Sequence, residues 1–145
     1  QGFTYFFEPC PSELIISGDD EAITEALINL LDNAVKYSKE HKSISVKTGQ
    51  EDDYHFVEIM DRGTGISDTN QKAIFEKFFR VPQGDVHNTK GTGLGLSLVK
   101  HIMHAHKGKI ILESTLGEGS IFRLCFPVKY RVAKLVRRNE QDINR

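Results

Sequence analysis

Asn29, Asn33, Lys36 and Tyr37 stand at i, i+4, i+7 and i+8, so on a helix they share one face, rotated about 120° from the apolar stripe. That face carries two carboxamides, an ammonium and a phenol. A hard divalent cation such as Mg²⁺ takes oxygen ligands and keeps waters and phosphate oxygens, so the Asn33 carbonyl can complete its shell while Lys36 offsets phosphate charge. Taken alone, the same pattern is the polar outer face of an ordinary amphipathic helix.

Asp61 falls where an apolar strand stops, and Gly63 and Gly65 follow it. Missing side chains there let backbone approach a flat ligand. The carboxylate can accept a hydrogen bond from an exocyclic amine such as that of adenine, and Ile66 offers the base an apolar surface. A plain Asp-Gly turn reads the same way in isolation. Gly91-Thr92-Gly93-Leu94-Gly95-Leu96-Ser97 runs into a helix, with Lys90 beside it, so free N–H groups and glycines can cradle phosphates. The chain has no GxxxxGK[ST] motif, and a polar loop stands where a dinucleotide fold needs a buried strand. Between these blocks lies Ile74-Phe75-Glu76-Lys77-Phe78-Phe79-Arg80, whose phenylalanines read as core or as an anchor for the adjoining loop. His101, His104 and His106 do not share one helix face, which argues against a metal site.

The elements that must position these groups follow from periodicity. Phe3–Phe7 and Glu13–Ile16 read as two short strands split by Pro9 and Pro11. Asp19 or Asp20 caps a helix with apolar positions Ile23, Leu27, Leu30, Leu31 and Ala34, ending near Ser38. Ser43–Thr48 and Phe56–Asp61 form a hairpin, Asp68–Glu76 suits a short helix, and Val81–Lys90 is a mobile polar loop. Leu94–His106 is helical and stops at Gly108, and Lys109–Ser114 with Ser120–Val128 makes a closing hairpin. This order lacks the regular alternation of a doubly wound sheet. It predicts a two-layer α/β (α+β) sandwich, a mixed, mostly antiparallel sheet with helices on one face.

The chain has 145 residues, 39% of them hydrophobic, and a formal net charge of −1. One domain over 1–128 is expected, with a polar, basic tail over 129–145. So balanced a charge supplies no electropositive field for nucleic acid or an anionic membrane, and neither is expected as a partner. Cys10 and Cys125 fit no metal-ligand spacing and are expected to be free thiols of a reducing compartment. No apolar run is long enough to span a bilayer, and the N-terminus lacks the order of a secretory signal. The first residue is Gln rather than Met, which suggests a piece of a longer protein.

Taken in order, Asn29–Ser38, Asp61–Ile66, Ile74–Arg80 and Gly91–Ser97 resemble the N, G1, F and G2 boxes of sensor histidine kinases, in the superfamily of gyrase, Hsp90, MutL and histidine kinases. The resemblance covers roughly Leu14 to Val128. It implies a Bergerat-type fold that binds ATP with Mg²⁺: Asn33 is similar to the Mg²⁺-binding asparagine, Asn29 to its supporting partner, and Asp61 to the adenine-recognising aspartate. Lys36 and Tyr37 look like phosphate-side and base-side contacts. Gly63, Gly65, Gly91, Gly93 and Gly95 match the box glycines, with Ile66 and Leu94 beside them, and Val81–Lys90 matches the ATP lid. Arg80, Lys90 and Thr92 are further phosphate candidates.

Relatives that hydrolyse ATP carry a glutamate four residues before the Mg²⁺ asparagine, where this chain has Asn29. An amide cannot take a proton from water near neutral pH. The resemblance therefore implies a kinase domain that presents the γ-phosphate to a histidine on a dimerisation domain outside this chain, with a response regulator receiver domain downstream. It further implies a cytoplasmic domain, compatible with a membrane-anchored parent. A non-catalytic nucleotide-binding scaffold and a serine kinase of the anti-sigma-factor type are the alternatives.

Overall fold

The structure, a computed structural model, describes residues 2–38, 40–81 and 93–128. The tail and most of the expected lid, with Lys90, Gly91 and Thr92, lie outside the described residues.

Helix α1 (Asp20–Tyr37) begins where Asp19, in extended backbone, turns its carboxylate onto the Ala22 N–H at 3.0 Å. This satisfies one of the donors that a helix start leaves open. Asp20 and Glu21 in the first turn and Lys36 in the last complement the helix dipole. The buried centre of its apolar stripe is Ala26, Leu30 and Ala34, with Ile23, Leu27 and Leu31 packed at the flanks. Helix α2 (Gly95–Ala105) packs beside it and buries Val99, Ile102 and Met103.

Five strands form one sheet: β1 (Thr4–Glu8), β2 (Ser43–Glu51), β3 (Tyr54–Asp61), β4 (Lys109–Thr115) and β5 (Gly119–Pro127), in the order β1-β2-β3-β5-β4. Among the described residues, only the β1–β2 pair is parallel. Strand alternation then decides which side chains meet the helices. Ile59 lies opposite Phe122, Val57 opposite Leu124, and Ile44 opposite Asp61. Ile44, Ile59, Phe122 and Leu124 join α1 and α2 in a single core cluster. The two-residue period that buries Ile59 carries Asp61 onto the same face at the end of β3. The opposite face holds Arg123 between Glu58 and Glu51, at 2.5 and 2.7 Å, with its guanidinium 4.4 Å from the Phe56 ring.

Two expected elements do not form. Glu13–Ile16 is not a strand; the Ile15 carbonyl accepts instead from Nδ1 of His55 at 3.0 Å, so a side chain takes the place of a ladder partner. Asp68–Glu76 is a run of turns with a single 3₁₀ turn at Ala73–Phe75 in place of a helix. Its polar side chains are bound locally: Ser67 meets Thr69 at 3.1 Å, and the Gln71 amide reaches back to the Ile66 carbonyl at 3.2 Å. Such bonds offer the backbone an alternative to the helical ladder. Among the described residues, no helix is long and apolar enough to cross a membrane, and both cysteines are free.

Candidate functional site

The helix face read from Asn29, Asn33, Lys36 and Tyr37 opens into a cavity of about 290 Å³ between α1, the end of β3 and the start of α2. All four residues line it, together with Asp61, Gly65, Ile66, Arg80, Gly93 and Gly95. Four blocks far apart in sequence thus converge on one space. Gly63 and Leu94, expected as contacts, do not line it. Gly63 works behind the wall: a Cβ there would sit 2.4 Å from the Tyr37 carbonyl oxygen, so only glycine lets the turn after β3 meet the end of α1. Leu94 is the residue before α2 and is 38% exposed.

Asp61 is 8% exposed. Burial pushes its carboxyl above the usual aspartate range, and N–H donors from Gly63 and Ser120 partly offset that. The Gly63 N–H donates to Oδ1 at 2.8 Å. Asp61 is thus an oriented acceptor with capacity left over. Around the cavity stand the apolar side chains Ile66, Ile74, Phe79, Val81, Leu96 and Phe122, a mixture suited to a flat ring with a polar edge.

Two cationic side chains, Lys36 and Arg80, line the same space. Burial lowers the Lys36 pKa, and the charge of Arg80 lowers it further. Like charges held together gain most from a bound anion. The α2 start adds to this: among the described residues no side chain caps it at Leu94, so it can offer its first N–H groups and positive dipole end to an anion. Gly95 makes the close approach possible, since a Cβ there would stand 2.9 Å from Oδ1 of Asn29. The Asn29 amide donates to the Glu25 carbonyl at 3.0 Å. Its carboxamide is held on its own helix and offers no base. Asn33 presents a neutral oxygen donor of the kind a hard cation accepts beside phosphates. From Asn29 to Tyr37 the helix rises about 12 Å at its usual pitch, so α1 spans the cavity from the α2 end to the Asp61 end.

Sequence reading did not assign Asp32, Thr64, Ile74, Phe79, Val81, Leu96, Phe122 or Ser120 to the site, though all of them line it. Phe122 and Ser120 lie on β5, whose alternation read only as a closing strand; their place in the cavity follows from pairing with Ile59 and Asp61, a long-range fact. Asp32 and Thr64 were inside recognised blocks but carried no distinguishing spacing. His101 and His104 lie on α2 and His106 just after it; His106 accepts from the Asp19 N–H at 3.0 Å through Nε2, and no group of three metal-ligating side chains exists among the described residues.

An oriented carboxylate, a paired cationic patch and an open helix start around one cavity, on a five-stranded sheet backed by two helices, define a nucleotide-binding α/β domain. The family model described as "Histidine kinase-, DNA gyrase B-, and HSP90-like ATPase" matches residues 18–130, and the chain belongs to that family. It is 42% identical over 116 residues to Sensor protein RprX of Bacteroides fragilis, covering 79% of this chain and 22% of that protein. It is 38% identical over 117 residues to Sensor-like histidine kinase SenX3 of Mycolicibacterium smegmatis, covering 81% of this chain and 30% of that one. The chain therefore spans under a third of these relatives. Among solved structures, the catalytic domain of histidine kinase ThkA superposes with a TM-score of 0.73 at 29% identity, covering 86% of this chain and 78% of that one. The branch is accordingly that of the sensor histidine kinases, and the chain is an ATP-binding catalytic domain of that type.

Proposed function

We propose that this domain holds ATP with Mg²⁺ in the α1 cavity and presents the γ-phosphate to a histidine on a dimerisation domain of its parent protein. A response regulator receiver domain is then the downstream acceptor. In this reading Asp61 accepts from the adenine amine, Ile66 and Tyr37 flank the base, and Lys36 and Arg80 meet the phosphates. Asn33, supported by Asn29, supplies an oxygen to Mg²⁺, which neutralises phosphate charge when bound. Lys90, Gly91 and Thr92 are assigned by sequence alone to the phosphate side.

The observation that carries this is the single cavity joining a buried acceptor with two mutually repelling cations. A nucleotide is amphoteric in the matching sense: an amine-bearing base joined to a polyanion. The amide at Asn29 supports transfer over hydrolysis, because an amide cannot serve as the general base that the hydrolysing relatives carry at that position.

The test is a melting-temperature series with MgATP, MgADP and MgGTP, with and without chelator, followed by phosphotransfer. At about 100 times its Kd a ligand adds roughly 2.7 kcal/mol. Adenine nucleotides should shift the transition in a Mg²⁺-dependent way and GTP little. Radiolabel should appear on a supplied histidine-bearing domain and not on this chain alone. Asn33→Ala should abolish the Mg²⁺ dependence without unfolding the domain. Equal shifts with GTP, or MgATP affinity unchanged in Asn33→Ala, would overturn the assignments.

A further inference from the structure

Ser114, on β4, does not line the cavity, yet its hydroxyl is the junction of the wall around Asp61. Oγ accepts from the Ile66 N–H at 2.8 Å, lies 2.9 Å from the Gly119 carbonyl oxygen, and lies 2.9 Å from the Ser120 hydroxyl. A serine hydroxyl has one proton to give and two lone pairs to accept with. The Gly119 carbonyl can only accept and the Ile66 N–H can only donate. With its proton on Gly119 and one lone pair on Ile66, Ser114 is complete only if Ser120 donates to it.

The contact distance allows either hydroxyl to donate; the Gly119 and Ile66 bonds are what favour donation from Ser120. With its proton directed at Ser114, the Ser120 hydroxyl keeps its lone pairs for the cavity that Ser120 lines. Strand pairing places Ser120 directly opposite Asp61, so the polar end of the site presents two acceptors side by side. An exocyclic amine, with two hydrogens, fits both; a carbonyl at the same ring position meets lone pairs with lone pairs. The segment is held against slippage from the same side. The Gly117 N–H donates to the Thr64 carbonyl at 2.7 Å, and the Gln71 amide donates to the Ile66 and Ser114 carbonyls at 3.2 and 3.1 Å.

We propose that Ser114 is a specificity-determining positioning residue: it orients the Ser120 hydroxyl as an acceptor, so that the site selects a 6-amino purine over a 6-oxo purine. This rests on the placement of the base at Asp61. Without the Ser114 hydroxyl, Ser120 is free to turn its proton into the cavity, where it favours a 6-oxo group.

The experiment measures Kd for MgATP and MgITP by calorimetric competition on the wild-type domain, Ser114→Ala, Ser114→Thr, Ser120→Ala and the Ser114→Ala/Ser120→Ala pair. Ser114→Ala should lower the preference for ATP roughly five- to tenfold, the scale of one hydrogen bond, with ITP held or gained. Ser114→Thr, which keeps the hydroxyl, should restore the preference. In the Ser120→Ala background, Ser114→Ala should change the preference no further, since the effect passes through Ser120. Equal weakening of both nucleotides in Ser114→Ala, failure of Thr to rescue, or full additivity would overturn the proposal. If Ser114→Ala does not fold, Ser120→Ala decides: an unchanged preference refutes the acceptor role. A wild-type domain with no preference for ATP over ITP would instead refute the placement of the base at Asp61.

Discussion

Asp61→Asn separates what Asp61 does for the fold from what it does for a ligand. Asparagine is nearly isosteric, and its side-chain oxygen can keep the Gly63 N–H, which in the wild type donates at 2.8 Å. Its NH₂ then replaces the acceptor aimed into the cavity, so an incoming amine meets a donor. Hydrogen bonds to charged groups contribute about 1.5–3 kcal/mol, so ATP affinity should fall roughly 10- to 150-fold. Stability of the free domain should change little, since relief of the buried charge is set against a weaker acceptor for the Ser120 N–H. Burial raises the Asp61 pKa, which means that the folded state holds the carboxylate charge at a cost that a neutral amide avoids. Calorimetry for affinity and urea unfolding of the free domain read the two effects separately. An Asp61→Asn domain that binds MgATP as tightly as wild type, or that is strongly destabilised when free, would refute the reasoning.

The same shift sets a pH dependence. Since the folded pKa lies above the unfolded one, the native state binds more protons in the window between them, and free-domain stability falls as pH rises through that window. Nucleotide affinity runs oppositely, because the amine needs the ionised carboxylate. It should weaken as pH drops through the raised Asp61 pKa, beginning above the ordinary aspartate range, and Asp61→Asn should flatten that limb of the affinity profile. Leu30→Ala, at a site 1% exposed in the core, should cost about 2–5 kcal/mol of unfolding free energy. Gly65→Ala should destabilise the domain and weaken ATP together: φ is +67° there, and a Cβ would stand 2.1 Å from the Thr115 carbonyl oxygen. Urea titration tests both; a Gly65→Ala domain of wild-type stability would mean that the turn after β3 does not rest on the β4–β5 hairpin.

The contrast between Asn33 and Ser114 shows which parts of such a site sequence reading reaches. Asn29, Asn33, Lys36 and Tyr37 come from one helix, so a 3.6-residue period places them on one face, and they all line the cavity. Asp61 was legible for a similar reason: an apolar strand ending in Asp and glycines marks a carboxylate at a strand end whatever its neighbours are. Glu13–Ile16 shows the limit of local reading. Its apolar run suits a strand, but strand formation needs a partner, and the Ile15 carbonyl is engaged by His55, which stands 40 residues away.

Ser114 and Ser120 lie further beyond that limit. They read only as residues of a closing hairpin, and their hydroxyls acquire meaning through β3–β5 register and the return of the chain at Ile66. Local periodicity therefore identifies groups that line a cavity from a single element, while the proton directions proposed to tune selectivity depend on contacts between elements. Asn29 joins the two cases. The sequence excludes it as a base because it is an amide; the fold adds that its side-chain oxygen packs close against Gly95, 2.9 Å from where a Cβ would stand. Replacing Asn29 by Glu would supply a carboxylate, but its longer side chain must either turn away from Gly95 or press on the start of α2. Gain of hydrolysis by that single change is not expected, and efficient ATP turnover in Asn29→Glu would show that the α2 start is not held where Gly95 places it.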